Sequence, residues 1–432
     1  PAQLRDLITS LVKGMGADLA DAMPRQFSCY PSVQYALKSF FPDLPHPTLM
    51  DLHPSLGNYE HLRIFIKVQK QKEFPFGTDW EGIEQLAQNV PTLTGHCHLD
   101  VPSRSHYTTL GAVQLWAYQQ HYHIIVCMTH YMSDLLANCM YIQSDIAFKW
   151  VKDWYEFEIA AWHRVIVCRA FLNRQTSSIH YLLFCLIDEI VQEDTGQFLK
   201  WRHLDSPSIK EPLGICMWMA DFHEGQALGI GQYLHYCAHR IQENRRDLHE
   251  PHRFLKDLSP LDHLSRIFRG CAVHWQRGVK EFDALTKRHM LSLMSPHDRH
   301  YSEAFQAIQA GGKKAKDWLE DKIWRQFVFP AICKAKNFIP DTVWEAGDRN
   351  DNVSEGLHHQ INQTGTSQTL VGGIQSGYMF NQTRKQEQTL QVAFGIRPSY
   401  GVQGDSERLV KSMSRKREHD FSGQNDFIQQ YL

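Results

Sequence analysis

Apolar positions change period along the chain. Over residues 1–90 they recur at helical spacing, in "QLRDLITSLVKGM" and again in "YEHLRIFIKVQKQKEF". "DLPHPTLMDLHPSLGN" between them is Pro-rich and reads as a connector, and "GTDWEGIEQLAQNV" as a further short helix. Near residue 105 the period shortens. "HYHIIVCMT" (121–129) is a short β-branched run, and "SDLLANC" (133–139) a short helix with Ser133 as its N-cap. "YIQSDIAFKWV" (141–151) alternates: Ile142, Ser144, Ile146, Phe148 and Trp150 share one face, Gln143, Asp145, Ala147 and Lys149 the other. "WYEFEIAAWH" (154–163) alternates through Tyr155, Phe157, Ile159 and Ala161, and "RVIVCRAFL" (164–172) follows. With turns at 151–153 and 163–164, these three runs predict an antiparallel meander.

"SSIHYLLFCLIDEIVQE" (177–193) predicts a helix with an apolar face. "LKWRHL" (199–204) reads as an additional strand, and "LGICMWMAD" (213–221) as a buried strand that ends on an acid. "GQALGIGQYLHYCAHRIQ" (225–242) continues as helix, weakened by its glycines. Residues 243–340 are amphipathic and helical with no strand pattern; "VSEGLHHQINQ" (353–363) starts another helix after the polar turn "EAGDRNDN". The order implies an α/β fold: a mixed sheet flanked by helices, with a long all-helical insertion and a mainly helical N-terminal region. Five regions follow: 1–104 helical; 105–242 the first part of the core; 243–340 the insertion; 341–380 the core's completion; and 381–432 a polar, partly basic tail containing "KSMSRKREH".

The 432 residues suggest two or three domains, and 43% hydrophobic with 12% aromatic content argues against disorder over most of the chain. A formal charge of −2 excludes a global electrostatic grip on nucleic acid, so any basic surface must be local. The 10 Cys include no Cys-x-x-Cys pair, which suits buried thiols in a reducing compartment and makes the sequons at Asn352, Asn362 and Asn381 chance matches. Residue 1 is Pro, which reads as a processed or truncated start; no signal peptide is recognisable there, and no apolar run reaches membrane-spanning length. "GHCH" (95–98) reads as a polar loop rather than a zinc site, because zinc needs four converging ligands. "AGGKKAK" lacks phosphate-loop spacing, and "LGIGQYL" is not a dinucleotide fingerprint.

Three acids stand out: Asp145 in the first meander strand, Asp221 ending the later strand, and Glu355 near the start of the late helix. Each has an ordinary reading: a solvated strand carboxylate, a capping box with Glu224, and a first-turn acid favoured by the helix dipole. If the two strands are neighbours, Asp145 and Asp221 meet at one sheet edge, and a helix packed there brings Glu355 to them. Carboxylates so placed suit two Mg²⁺ or Mn²⁺ ions, which activate a hydroxyl and stabilise a leaving oxygen in phosphodiester chemistry.

At these residues the chain resembles the Mutator-like transposases, a branch of the DDE transposases with a ribonuclease H-like core, and particularly the transposase-derived proteins of basidiomycete fungi. "SDIAFKWV" resembles the first motif through Asp145, Phe148 and Lys149, with Ala147 where the family has Thr. "WMADFHEGQALGIG" resembles the second motif, "CAVHWQRGV" the Cys-x-x-His segment through Cys271 and His274, and "NDNVSEGLHHQIN" the third motif through Asn352 and Glu355. The resemblance covers roughly residues 45–380. It implies Asp145, Asp221 and Glu355 as a metal-binding catalytic triad, with cleavage and strand transfer of transposon-end DNA. It also implies double-stranded DNA as partner, a homodimer, a nuclear location and no membrane. Cys271 and His274, one helical turn apart, suit buried packing better than structural zinc, which needs two more ligands from His249, His252 or His263. Lys149, Arg253, Arg266 and Arg269, with Arg246, are candidates for DNA-phosphate contact or for a solvated helix face. Two other readings remain: a transposase-derived protein that only binds DNA or protein, and a ribonuclease H-like nuclease acting on RNA–DNA hybrids.

Overall fold

The computed structural model describes residues 2–395 apart from 84–103, 110–112, 119–121, 162–164, 242–243, 295–298, 348–351 and 363–364. Within these, eight strands form one sheet: β1 Arg104–Thr109, β2 Val113–Tyr118, β3 Ile124–Met128, β4 Tyr141–Ala147, β5 Tyr155–Ala161, β6 Val165–Leu172, β7 Met217–Ala220 and β8 Phe268–Gly270. Their order is β1-β2-β3-β6-β5-β4-β7-β8. Pairing is antiparallel from β1 to β4, and parallel from β4 to β7 and from β7 to β8. The expected meander is therefore β4–β5–β6. Strands β3, β6 and β7 are buried at every position. Their near-continuous apolar runs suit a sheet covered on both faces.

Helices Ser177–Thr195 and Glu224–Arg240 cover one face, packing on Ile142, Ile146, Phe157, Ile159 and Trp218. The glycines of the second helix allow this close packing. A Cβ on Gly229 would lie 2.5 Å from His180 Cβ and 2.7 Å from the Ser177 carbonyl oxygen. Helices Asn352–Asn362 and Leu370–Phe394 lie on the opposite face. There Val353 and Leu357 pack with Ala160 and Ile166, and Leu370 and Ile374 with Trp150 and Phe171. The N-terminal helices, including Ala2–Lys13 and Tyr59–Glu73, enclose a core of their own around Ile8, Val12, Phe27, Leu62 and Ile66. Asp21 ties this part to the rest by accepting a hydrogen bond from the Thr369 amide at 2.8 Å.

Ser144 locks β4 to β7 and to the Glu224–Arg240 helix. Its buried Oγ accepts hydrogen bonds from Trp218 Nε1 and Gln226 Nε2, both at 2.7 Å. Ser144→Ala orphans two buried donors beside Asp145, at a cost of about 1–3 kcal/mol for each group left unsatisfied. Urea denaturation should show this as a lower midpoint with an unchanged slope; an unchanged midpoint would count against this role for Ser144.

Several expectations are corrected. The helix after β3 spans His130–Ala137 and is capped by Thr129. Ser133 is buried inside that helix, where its Oγ donates to Asp194 at 2.5 Å. Residues 199–204 do not form a strand: Trp201 makes an isolated bridge to Ile215, and Arg202–Asp205 is a short helix. The insertion is not all helical, because Phe268–Gly270 adds the edge strand β8. The helix starting at Leu370 continues to Phe394, well past residue 381. The connector after residue 42 holds the short helix Leu49–Leu52 and the 3₁₀ turn Pro54–Gly57. "GHCH" and the basic tail lie outside the described residues, as does most of the short helix expected after residue 77.

Candidate metal centre at the carboxyl ends of two parallel strands

Gln143 on β4 pairs with Met219 on β7, and the two strands run in the same direction. Two residues further along the chain are Asp145, still within β4, and Asp221, the first residue beyond β7. The register thus sets them level on the same face at the carboxyl ends of neighbouring strands, which in a sheet lie about 4.8 Å apart. Ligands of open α/β sheets bind at such ends. Asp221 is not part of a capping box: the helix that follows starts at Glu224, with His223 as its cap.

Glu355 reaches the same edge on the Asn352–Asn362 helix, which packs across β4 and β5. One turn further on that helix, His358 lies 3.4 Å from Asp145 Oδ2 through Nδ1 and 2.7 Å from Glu158 Oε2 through Nε2. From the other side, the Ala272–Gly278 helix brings two basic groups. His274 Nδ1 lies 2.6 Å from Asp221 Oδ1, and Arg277 Nη1 lies 2.8 Å from Glu355 Oε1. Each predicted acid therefore faces a basic side chain, and all three pairs belong to one connected edge. Asp221 and Glu355 are about one-third exposed, while Asp145 is only 15% exposed.

Behind Asp145 a row of polar residues crosses the sheet. Asp145 pairs in register with Glu158, Glu158 with Arg169, and Arg169 with Cys127. Glu156, Glu158 and Arg169 are all buried. The Arg169 guanidinium pairs with both carboxylates, at 2.6 Å to Glu158, and stacks over the Trp150 ring at 4.8 Å from its centroid. Sequence reasoning missed Glu158, Arg169 and His358. The one local signal was the His three residues after Glu355, a spacing that shares a helix face.

Burial alone would lower the basicity of His358, but the Glu158 carboxylate, its hydrogen bond and the Asp145 charge outweigh it and raise the imidazole above its usual value. The sign follows from linkage. A raised folded-state value gives stabilisation that is complete below the unfolded value near 6.5 and is lost as pH rises through the folded value. Relative to His358→Gln, the wild type should therefore lose stability as pH climbs above about 6.5. Urea midpoints across pH 5–9 test this, and a difference that does not change with pH would refute it. The comparison isolates His358 from His180 and His263. Burial pushes each of those down to about 3, so they act in the opposite sense on the acid side.

The Cys271 and His274 pair finds its third partner outside the expected histidines. Among the described residues, one group of His, Cys, Asp and Glu ligand atoms lies within 4.8 Å of one another: Asp221, Cys271 and His274. His263 instead bonds His203, with His203 Nε2 3.0 Å from His263 Nδ1, and His249 lies 3.1 Å from Arg202. A cavity of about 240 Å³ opens beside this group, lined in part by Asp221, His223, His274, Trp275 and Lys322.

The proposed phosphate-contacting arginines are largely consumed by the fold. Arg266 is fully buried and pairs with Asp247 and Glu250 at 2.5 and 2.7 Å. Arg269 is buried, donates to the Trp344 and Gly347 carbonyls, and stacks on Trp344. Arg253 pairs with Asp262 at 2.7 Å and with Glu250 at 3.0 Å. Lys149 is exposed in the turn after β4, and Arg277 is half-exposed beside Glu355. Comparison with protein-family models, curated proteins and solved structures finds no match to this chain.

Proposed function

We propose that the chain is the catalytic region of a DDE-type DNA transposase, performing metal-dependent cleavage and strand transfer of DNA ends. The observation that carries this reading is the register that puts Asp145 on β4 beside Asp221 at the end of the parallel strand β7, with the Glu355 helix packed on β4 and β5. The strand order β6-β5-β4-β7-β8, an antiparallel meander extended by two parallel strands, supports a ribonuclease H-like core. On this reading the additional β1, β2 and β3 extend one edge, and residues 243–340 supply β8 at the other edge together with helices.

The donor types suit a hard divalent ion, three carboxylates near one sheet edge, but their oxygens do not all lie within 4.8 Å of one another and would have to close on the ion. Asp145, Asp221 and Glu355 would hold Mg²⁺ or Mn²⁺, which supplies activation of the attacking hydroxyl and charge stabilisation of the leaving oxygen. The protein's own residues set the geometry. His358 holds Asp145 through its second contact to Glu158. His274 and Arg277 screen Asp221 and Glu355 from one another, since like charges brought together resist ionisation. Lys149, exposed in the turn after β4, and half-exposed Arg277 would meet the DNA phosphates. Two copies would be required to join two ends, and the proposed setting is the nucleus.

The test is Mn²⁺-dependent nicking of supercoiled plasmid DNA by the wild-type chain, with loss of nicking in Asp145→Asn. Nicking that survives this substitution would reject the assignment. A second reading, a transposase-derived protein that only binds DNA or protein, is favoured by one observation: the three acids already have basic partners. It predicts DNA binding without nicking at any metal concentration.

A further inference from the structure

We propose that Asp221, Cys271 and His274 form a transition-metal site that takes Zn²⁺ and shares Asp221 with the hard-ion site of the three carboxylates. The three ligands come from two strand ends brought side by side. Met219 and Ala220 on β7 pair with Arg269 and Gly270 on β8, so Asp221 and Cys271 each follow the last residue of neighbouring parallel strands. The Cys271 amide donates to the Ala220 carbonyl at 3.0 Å, which fixes that juncture. Cys271 also caps the Ala272–Gly278 helix, whose first turn carries His274 back over the same point.

The donor set selects the metal. Mg²⁺ and Mn²⁺ prefer oxygen ligands, whereas a thiolate with an imidazole suits zinc, and a carboxylate can be its third protein ligand. Ligand atoms within 4.8 Å of one another need to close only modestly on a tetrahedral ion, whose ligands lie about 3.3–3.8 Å apart given zinc bond lengths of 2.0–2.3 Å. The 2.6 Å Asp221–His274 contact opens as the ion enters between them.

Placement of the ligands supplies the rest. Cys271 is fully buried, while Asp221 and His274 line the cavity. The ion therefore sits on a buried thiolate, with a fourth position facing the cavity, where His223 and Lys322 are also found. Three protein ligands with one position open is the form of a zinc site that binds an exchangeable ligand rather than a closed structural one. Binding displaces the Cys271 thiol proton to solvent, so affinity should fall as pH is lowered. The site also constrains Asp221 and the helix that carries Arg277.

Cobalt titration of the metal-depleted full chain tests the assignment. Co²⁺ should bind with one ion per chain, giving a thiolate-to-cobalt charge-transfer band in the near ultraviolet and the intense visible bands of a tetrahedral ion. Zn²⁺ should displace it. Cys271→Ser should lose the charge-transfer band, and His274→Gln, at a partly exposed position, should weaken binding at least tenfold with an unchanged far-ultraviolet dichroism spectrum. A folded wild-type chain that binds Co²⁺ without the thiolate band overturns the proposal, as does a band that survives Cys271→Ser. Asp145→Asn should keep the band. Loss of nicking with the band retained bears on the DNA reading alone, and nicking without the band bears on the zinc site alone.

Discussion

Asp145→Asn and Glu355→Gln are each expected to lower Mn²⁺-dependent plasmid nicking by roughly 10²–10³-fold, the usual cost of removing one preorganised electrostatic contact from a reacting centre. The two substitutions attack the site from different elements. Asp145 belongs to the interior strand β4, and Glu355 to the helix packed on it. A common loss would mean that strand and helix serve one centre. Folding should survive in both. Behind Asp145, three carboxylates (Asp145, Glu156, Glu158) face two basic groups (Arg169, His358), so removing one negative charge relieves repulsion. Glu355 is one-third exposed, and its pair with half-exposed Arg277 contributes little to stability. Nicking rates, read beside urea midpoints for both variants, separate lost chemistry from lost structure. Equal rates in wild type and Asp145→Asn would remove Asp145 from the mechanism.

Arg169→Met should have the largest effect on stability. Arg169 is 1% exposed and neutralises Glu156 and Glu158, which are 1% and 0% exposed. Replacing an intact buried ion pair by apolar groups is often harmless, but removing one partner leaves a buried charge uncompensated, at a cost of about 3–5 kcal/mol. Here Glu156 would lose its Arg169 partner, Glu158 would be left with His358 alone, and the Trp150 ring would lose its stacked guanidinium. The penalty should shrink when Glu156→Gln and Glu158→Gln are added, because no buried charge is then unpaired. Urea denaturation of the single and triple variants measures that coupling directly. A triple variant less stable than the single would show that packing, not charge, dominates at this position.

Much of this architecture is legible from alternation alone. The runs at 141–151, 154–163 and 164–172 become β4, β5 and β6, and the acid-ended run at 213–221 becomes β7 with Asp221 just beyond it. Strand β8 was not legible because three residues, Phe268–Gly270, carry no period and sit in helical texture. Glu156 and Glu158 were not singled out in the sequence, and carboxylates are rarely buried without a partner. Their burial is a tertiary effect: β6 contributes Arg169, and the helix about 200 residues later contributes His358. The basic run around Arg253–Arg269 failed in the same way. Its positive charges looked available for phosphate, yet Asp247, Glu250 and Asp262 within the same segment take up Arg253 and Arg266. Among the candidate site residues, the three acids were legible by type and order. Their basic partners were not, because only folding brings residues 274, 277 and 358 to residues 221, 355 and 145.

That Asp145, Asp221 and Glu355 act together as one divalent-cation centre is tested most directly by calorimetric titration of Mn²⁺ into the metal-depleted chain, with no Zn²⁺ present to occupy Asp221. The wild-type chain should show Mn²⁺ binding that Asp145→Asn weakens at least tenfold and the Asp145→Asn, Glu355→Gln double variant abolishes. The same Mn²⁺ isotherm in the wild type and the folded double variant would contradict the account.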